Sequence, residues 1–167
     1  MFGRRARVAK GSAEAAPPVN LRAKAIGYLA RREHSRAELA AKLMRLGSDR
    51  IVIDTLLDVL TAENFLSERR AAQSIVRVRS ARLGSMRVAG ELRARGITGD
   101  LAAEMVRDLK GTEAERARAL WERKFGEPAA DLSGRARQMR FLQTRGFALD
   151  VIRAVVPATL RRATERD

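Results

Sequence analysis

The chain of 167 residues contains no cysteine and only one histidine, His34. Without thiols it can form neither a disulfide framework nor a thiolate metal site, and a single imidazole does not support ordinary zinc chemistry. We therefore predict that the protein carries no metal and no cofactor. His34 lies just before a predicted helix start, where we expect an ordinary surface or capping role.

Long apolar runs and catalytic motifs are absent as well. No uncharged apolar stretch is long enough to span a bilayer, and the basic N-terminus lacks the apolar core of a signal peptide, so the sequence predicts a cytoplasmic protein without membrane contact. There is no phosphate-binding loop, nucleophile elbow or metal-ligand spacing, which favours a protein that is not an enzyme. One Trp, one Tyr and five Phe fall at predicted core positions and do not indicate a base-stacking platform.

Positive charge is abundant. The chain has 34 basic and 20 acidic side chains, for a net charge of +14. Only five of the basic residues are lysines, so arginine dominates, and its guanidinium suits bidentate contacts with carboxylates and phosphates. The excess predicts an anionic partner, either nucleic acid or an acidic protein surface, and does not decide between them.

A repeat organises the chain. Glycines at 47, 96 and 146 each follow a leucine by four residues, with steps of 49 (96 − 47) and 50 (146 − 96). A glycine just past a helix end adopts the left-handed conformation that satisfies the last carbonyls, so each glycine predicts a helix stop. Apolar pairs follow nine and ten residues later: Leu56-Leu57, Met105-Val106 and Val155-Val156. Eight residues before each glycine stand Leu39, Val88 and, breaking the pattern, Gln138.

The near-constant period predicts an all-α fold of three tandem three-helix repeats stacked into an elongated, curved body. We place the repeats at 20–66, 67–110 and 111–160, between a flexible basic N-terminal tail at 1–19 and a frayed C-terminal tail at 161–167. The first helix is predicted from Leu21 to about Glu33. Ser35 and Glu38 form a predicted capping box, and further caps are predicted at Ser67 and Ser85. Thr112 is predicted to head the first helix of the third repeat. Trp121 is placed in the core of the third repeat.

The charges are unevenly distributed over the predicted helices. The third helices carry eight acids against four bases, so a helix-turn-helix protein that reads the DNA groove with these helices is not favoured. The bases concentrate on the first and second helices and predict a basic stripe along the body. The candidate interaction residues on this stripe are Arg31, Arg32, Arg36, Lys42, Arg45, Arg77, Arg79, Arg87, Arg93, Arg95, Arg140 and Arg145.

Four segments carry a further signal: LARREHSRAELAAKL at 29–43, NFL at 64–66, ELRARGI at 91–97 and RFLQTRGF at 140–147. In this order and spacing they resemble the RecX family of regulatory proteins, the first segment its opening repeat and the last its third repeat. The resemblance covers about residues 22–156. The chain departs from the family at Ala71, where an aromatic residue is usual, and at Asn64, where glycine is frequent.

The resemblance implies a monomeric modulator of the RecA recombinase. Such proteins are similar to a curved clamp that docks in the groove of the RecA filament on single-stranded DNA and suppresses filament growth, ATP hydrolysis, strand exchange and co-protease activity. The twelve stripe residues are then candidates for contacting the filament or, through the basic face, single-stranded DNA. An alternative remains open: a regulatory or architectural protein that binds DNA directly through the stripe.

Overall fold

The computed structural model describes residues 20–159, which form α-helices and, within that range, no strand. In chain order the helices are α1 (Leu21–Leu29), α2 (Arg36–Met44), α3 (Arg50–Ala62), α4 (Glu68–Arg79), α5 (Ser85–Ala94), α6 (Gly99–Gly111), α7 (Glu113–Lys124), α8 (Leu132–Gln143) and α9 (Leu149–Val155). The predicted all-α repeat fold is confirmed. The predicted tails at 1–19 and 161–167 lie outside the described residues, and no helix of residues 20–159 is long and apolar enough to cross a membrane.

Three hydrophobic cores follow one another along the chain, one in each group of three helices. We call α1–α3 unit 1, α4–α6 unit 2 and α7–α9 unit 3; the predicted residue boundaries between repeats stay a prediction. Leu39, Leu43 and Leu57 centre the first core, Val88 and Leu92 the second. The third is built on Trp121, Leu142 and Ile152. Each core includes the leucine that stands four residues before a repeat glycine: Leu43, Leu92 or Leu142.

The three repeat glycines adopt the predicted conformation. Gly47, Gly96 and Gly146 have φ of 80°, 78° and 79°, the left-handed region that side chains with a Cβ disfavour. Asn64, which follows α3 at a position where the family often has glycine, also has a positive φ of 63°. Asparagine tolerates this conformation better than most residues, so the departure from the family pattern preserves the turn.

Two predicted caps are confirmed and one is wrong. Ser35 accepts the Glu38 amide while the Glu38 carboxylate accepts the Ser35 amide, and Ser67 accepts the Arg70 amide. Ser85, by contrast, is the first residue inside α5 and does not cap it; Gly84 holds the N-cap position. Thr112 is the N-cap residue of α7, but its hydroxyl donates to the Leu109 carbonyl instead of capping the helix.

The first helix is shorter than predicted, because α1 ends at Leu29 and the chain turns before reaching Glu33. The turn carries His34 into the protein, where it is 3% exposed, so the predicted surface or capping role is wrong. Its Nδ1 lies 2.9 Å from the Arg32 carbonyl oxygen, and its ring lies against Tyr28. The third helix of unit 2 is longer than the predicted 100–109 and reaches Gly111.

Gln138 interrupts the apolar pattern for a structural reason. Its side chain is buried beside Trp121, which is only 6% exposed, as predicted for a core residue. The Gln138 Oε1 accepts the indole N–H at 3.1 Å, and its Nε2 donates to the Glu127 carbonyl at 3.0 Å. A tryptophan buried in an apolar core needs a partner for its N–H, and the glutamine supplies it.

Candidate interaction surface

The start of the second helix in one unit meets the end of the second helix in the next, and we call each such contact a joint. At the first joint, between units 1 and 2, the Ser35 hydroxyl donates to the Arg95 carbonyl. The Arg36 amide donates to the Glu68 carboxylate, which opens α4. Two backbone groups left unpaired at helix ends thereby find partners in the neighbouring unit.

The second joint, between units 2 and 3, repeats this arrangement. The Gly84 amide donates to the Arg145 carbonyl at 2.9 Å. The Ser85 amide and hydroxyl donate to the two carboxylate oxygens of Glu113, at 2.8 and 2.7 Å. Ser35 and Gly84 both stand twelve residues before the glycine of their own unit, and Glu68 and Glu113 both open the next unit's first helix.

The repeat glycines lie inside these joints. A Cβ on Gly96 would sit 2.5 Å from the Ala37 Cβ, and a Cβ on Gly146 would sit 2.6 Å from the Arg87 Cβ and amide nitrogen. Gly47, the third repeat glycine, has no described atom within 4 Å of the place that a Cβ would take. Gly96 and Gly146 therefore both end a helix and permit close contact with the preceding unit.

A cleft opens at the first joint, with a volume of about 290 Å³. Arg32, Arg79 and Arg95 line it together with Glu33. The cations are held by carboxylates: Arg32 lies 3.0 Å and Arg95 3.6 Å from Glu38, and Arg79 lies 2.8 Å from Glu91. The cleft is thereby largely neutralised.

Glu38 forms ion pairs with two cations of the first cleft, Arg32 and Arg95. Burial acts to raise the pKa of Glu38, but hydrogen bonds from the Arg32 guanidinium and the Ser35 amide outweigh it and hold that pKa below its usual value. The carboxylate is thus kept ionised at the point where units 1 and 2 meet.

The corresponding cleft at the second joint is larger, about 560 Å³, and differently charged. Arg82, Arg123, Lys124 and Arg145 line it, and no carboxylate is among its described lining residues. The position five residues before the repeat glycine, Glu91 at the first joint, is Phe141 here.

A second acid of the first joint is also replaced. Glu38, nine residues before Gly47, corresponds to Arg87, nine residues before Gly96. Both carboxylates that neutralise the first cleft have therefore no counterpart at the second.

Arg145 is fixed in the second cleft. Its guanidinium lies 3.7 Å from the centroid of the Phe141 ring and donates to the Phe141 carbonyl at 3.0 Å. Phe125 makes an edge-to-face contact with the same ring, with ring centroids 5.2 Å apart. A cation over an aromatic face is attracted by the ring quadrupole, so Arg145 is held without an acidic partner.

Arg116 adds another cation close to this joint. Its guanidinium donates to the carbonyls of Ser80, Leu83 and Leu109 at 2.8–2.9 Å. Burial lowers the pKa of Arg116, an effect opposed by the nearby Glu113 carboxylate. The first joint has the small residue Ala71 at this position, three residues after the glutamate that opens the helix.

The structure divides the twelve predicted stripe residues into three groups. Arg32, Arg36, Arg79 and Arg95 form ion pairs with acids of this chain, Arg36 with Asp54 and Asp58 of α3. Lys42 and Arg145 lie over the rings of Tyr28 and Phe141. The third group is exposed and has no ion-pair partner among residues 20–159: Arg31, Arg45, Arg77, Arg87, Arg93 and Arg140.

The middle-unit candidates do not form one patch. Arg79 and Arg95 meet in the first cleft, whereas Arg77 borders the groove between α4 and α6, and Arg93 borders the groove between α5 and α6. Arg82, Arg123 and Lys124, which the structure gathers around Arg145, were not among the predicted candidates. A signal for them exists: α4 and α7 start 45 residues apart (113 − 68), which aligns Arg79 with Lys124.

Comparison with known proteins identifies relatives along most of the chain. Residues 22–60 match the family profile described as "RecX, first three-helix domain", and residues 112–156 match "RecX, third three-helix domain". The regulatory protein RecX of Ralstonia pickettii is 44% identical over 139 residues, covering 83% of this chain and 87% of that protein. That of Leptothrix cholodnii is 47% identical over 140 residues, covering 84% and 89%.

A solved structure shows the same fold. The crystal structure of RecX from Lactobacillus salivarius superimposes with a TM-score of 0.70 at 19% identity, covering 81% of this chain and 91% of that one. At this identity the likeness concerns the fold.

Proposed function

Because this chain belongs to the RecX family of regulatory proteins, we propose that it is a negative modulator of the RecA recombinase. In this proposal it binds the RecA filament on single-stranded DNA and suppresses filament growth, ATP hydrolysis, strand exchange and co-protease activity. It acts in the cytoplasm, as a monomer, by binding and without catalysis. The observation that carries the proposal is relatedness to RecX proteins over more than four fifths of the chain.

The exposed cations support a docking role. Arg31 and Arg45 lie in unit 1, Arg77 and Arg93 in unit 2, and Arg140 in unit 3, so charge available to a partner extends through the whole array. Charged groups on an interface steer association and fix register more than they add affinity. A long filament groove is the kind of partner that a series of similar units can follow.

The primary experiment measures RecA ATPase on single-stranded DNA while this protein is added at sub-stoichiometric amounts. We expect inhibition below one protein per RecA subunit, because restraint of filament growth affects many subunits at once. Unchanged ATP hydrolysis at equimolar protein would contradict the proposal.

The second experiment locates the docking surface. Arg77→Glu with Arg93→Glu should preserve helicity and melting, because both side chains are exposed and unpaired among the described residues, yet weaken inhibition by about tenfold or more. Arg79 and Arg95 are unsuitable, since reversing them would also break ion pairs of the first joint. A matched control reverses Lys24 and Arg118, two exposed cations outside the candidate stripe and both clefts. Equal inhibition by both variants would place the docking surface elsewhere.

A further inference from the structure

The second cleft holds like charges together without an acid to balance them. Four cations, Arg82, Arg123, Lys124 and Arg145, line one concavity, while the same position in the fold at the first joint is neutralised by Glu38 and Glu91. Like charges confined in a cleft repel one another, and the cost falls when an anion enters between them. The contrast between two equivalent clefts therefore points to an anionic ligand at the second.

The cleft is also organised for a planar group. Arg145 is fixed by the Phe141 ring on one face and by the Phe141 carbonyl, so the geometry of its guanidinium is set before any ligand arrives. A guanidinium held in place loses less freedom on binding and presents its plane or its donors to phosphates and bases. Phe125 meets Phe141 nearly at right angles, and both rings pack against the core of unit 3.

We propose that the cleft at the second joint binds single-stranded nucleic acid. Arg82, Arg123 and Lys124 contact the phosphodiester backbone, and Arg145 stacks on an unpaired base. A volume of about 560 Å³ suits a small group of ligand atoms. A concave site with a stacking plane favours a single strand over a duplex, since the bases of a duplex are already stacked and its surface is convex. Alternating phosphate and base also match the cleft's mixed lining better than the carboxylates of an acidic protein do.

This assignment does not rest on the RecA proposal, because DNA alone tests it. The full chain is titrated into a fluorescent oligothymidylate, and binding is followed by anisotropy at several salt concentrations. Arg123→Glu with Lys124→Glu should weaken binding about tenfold or more and reduce the log–log salt slope by about 1.4, from 0.7 per lost phosphate contact. The control Lys24→Glu with Arg118→Glu changes the net charge equally and should weaken binding less than about threefold, through the long-range field alone.

Two further variants separate the parts of the site. Arg82 lies in the turn between α4 and α5, outside both helices. Arg82→Glu should therefore weaken oligothymidylate binding, as the double variant does, without a change in a helix. Arg145→Lys keeps the charge and loses the plane, so it should weaken oligothymidylate binding about fivefold or more while leaving the salt slope unchanged. Thermal melts followed by far-ultraviolet dichroism check that each variant is folded.

Three outcomes would overturn the assignment. Equal weakening by the cleft and control variants would mean that DNA contacts the basic surface diffusely. Competition by inorganic phosphate as effective as unlabelled oligothymidylate, at equal phosphate, would indicate a simple phosphate site. An acidic peptide or duplex DNA competing as well as the single strand would assign the cleft to that ligand instead. Loss of DNA binding in the Arg123/Lys124 variant with unchanged RecA inhibition would support the site and separate it from the filament contact.

Discussion

At the first joint the position five residues before the repeat glycine holds Glu91, and at the second it holds Phe141. The contacts around these positions follow the same arrangement. The start of a helix meets the carbonyl that precedes the glycine, and a glutamate from the next unit accepts an amide. The side chains that line the clefts differ in charge and in shape. The parts that join the units and the parts that face a ligand can therefore change separately.

The two joints also differ in how closely the backbones approach. At the first, the Ser35 hydroxyl stands between the helix start and the Arg95 carbonyl. At the second, the Gly84 amide reaches the Arg145 carbonyl directly, and the Met86 amide donates to the Gly146 carbonyl at 3.2 Å. Position 84 requires glycine because a Cβ on it would overlap the backbone of Gly146 and Phe147.

The largest effect is expected from the repeat glycine of the first joint. Gly96→Val combines backbone strain of about 1–2 kcal/mol in the left-handed region with a clash against Ala37 of about 1–3 kcal/mol, so the free energy of unfolding should fall by roughly 2–5 kcal/mol. Gly47→Val carries the strain without the clash, since no described atom lies near it. Urea unfolding followed by far-ultraviolet dichroism measures both. Equal losses would mean that the joint contact contributes nothing.

An exchange of residues between the joints comes next. Gly84→Ser places the first joint's residue in the second and should destabilise by about 2–3 kcal/mol, because the added atoms meet backbone that cannot move aside. Ser35→Gly makes the reverse change and should cost about 1 kcal/mol, mainly the hydrogen bond to Arg95. Trp121 emission reports unit 3, so Gly84→Ser should affect its midpoint more than Ser35→Gly does. A neutral Gly84→Ser variant would show that the second joint can open to the spacing of the first.

The joint glutamates differ in burial and should differ in effect. Glu113 is 2% exposed and both of its carboxylate oxygens accept hydrogen bonds from Ser85. Glu113→Gln turns an amide group toward one of these donors, and we expect a loss of about 2 kcal/mol. Glu68→Gln should cost about 1 kcal/mol or less, since Glu68 is half-buried and the glutamine oxygen can still accept the Arg36 amide. Chemical denaturation of the pair, performed in parallel, tests the order; a larger effect at Glu68 would reverse our ranking of the joints.

The smallest effect is a pH dependence confined to the first joint. Burial lowers the pKa of His34, with Arg32, Glu38, Lys42 and the Tyr28 ring around it. The unfolded chain then binds a proton at a pH where folded His34 stays neutral, so stability should decline as pH falls below 6.5, the ordinary histidine value. His34→Leu introduces the residue found at the equivalent position, Leu83, and should flatten this part of the profile. A slope that persists in the variant would assign the titration to another group.

The sequence predicted the elements that depend on local chemistry. A left-handed glycine, a capping box and an apolar helix face each arise within a few residues, so Gly96, Ser35 with Glu38, and the core position of Trp121 could be inferred without a structure. Ser85 was misjudged because Gly84 takes the N-cap position of α5, where its amide donates to the Arg145 carbonyl of the next unit. That contact, like the one between Ser85 and Glu113, joins residues far apart in the sequence.

The joints could not be predicted for the same reason. Ser35 and Arg95 are 60 residues apart, and nothing in either neighbourhood indicates that one helix start meets the other helix end. Glu68 and Glu113 look like ordinary first-turn acids, which favour helix N-termini wherever they occur. The candidate cations were selected by the helix that carries them, so they included both Arg79, which is paired with an acid, and Arg77, which is exposed. They omitted Lys124, although the 45-residue offset between α4 and α7 aligns it with Arg79.

Gly47 marks the side of unit 1 on which a further unit can pack. Gly47 already has the backbone conformation of Gly96 and Gly146, but no described residue docks against it. At the other end, Gly134, twelve residues before Gly146, lies within α8, because that helix begins earlier and its extra turn occupies the place of a helix start. Duplication of a unit, in a gene or in a designed chain, should therefore be accepted on the N-terminal side of unit 1 and resisted beyond unit 3.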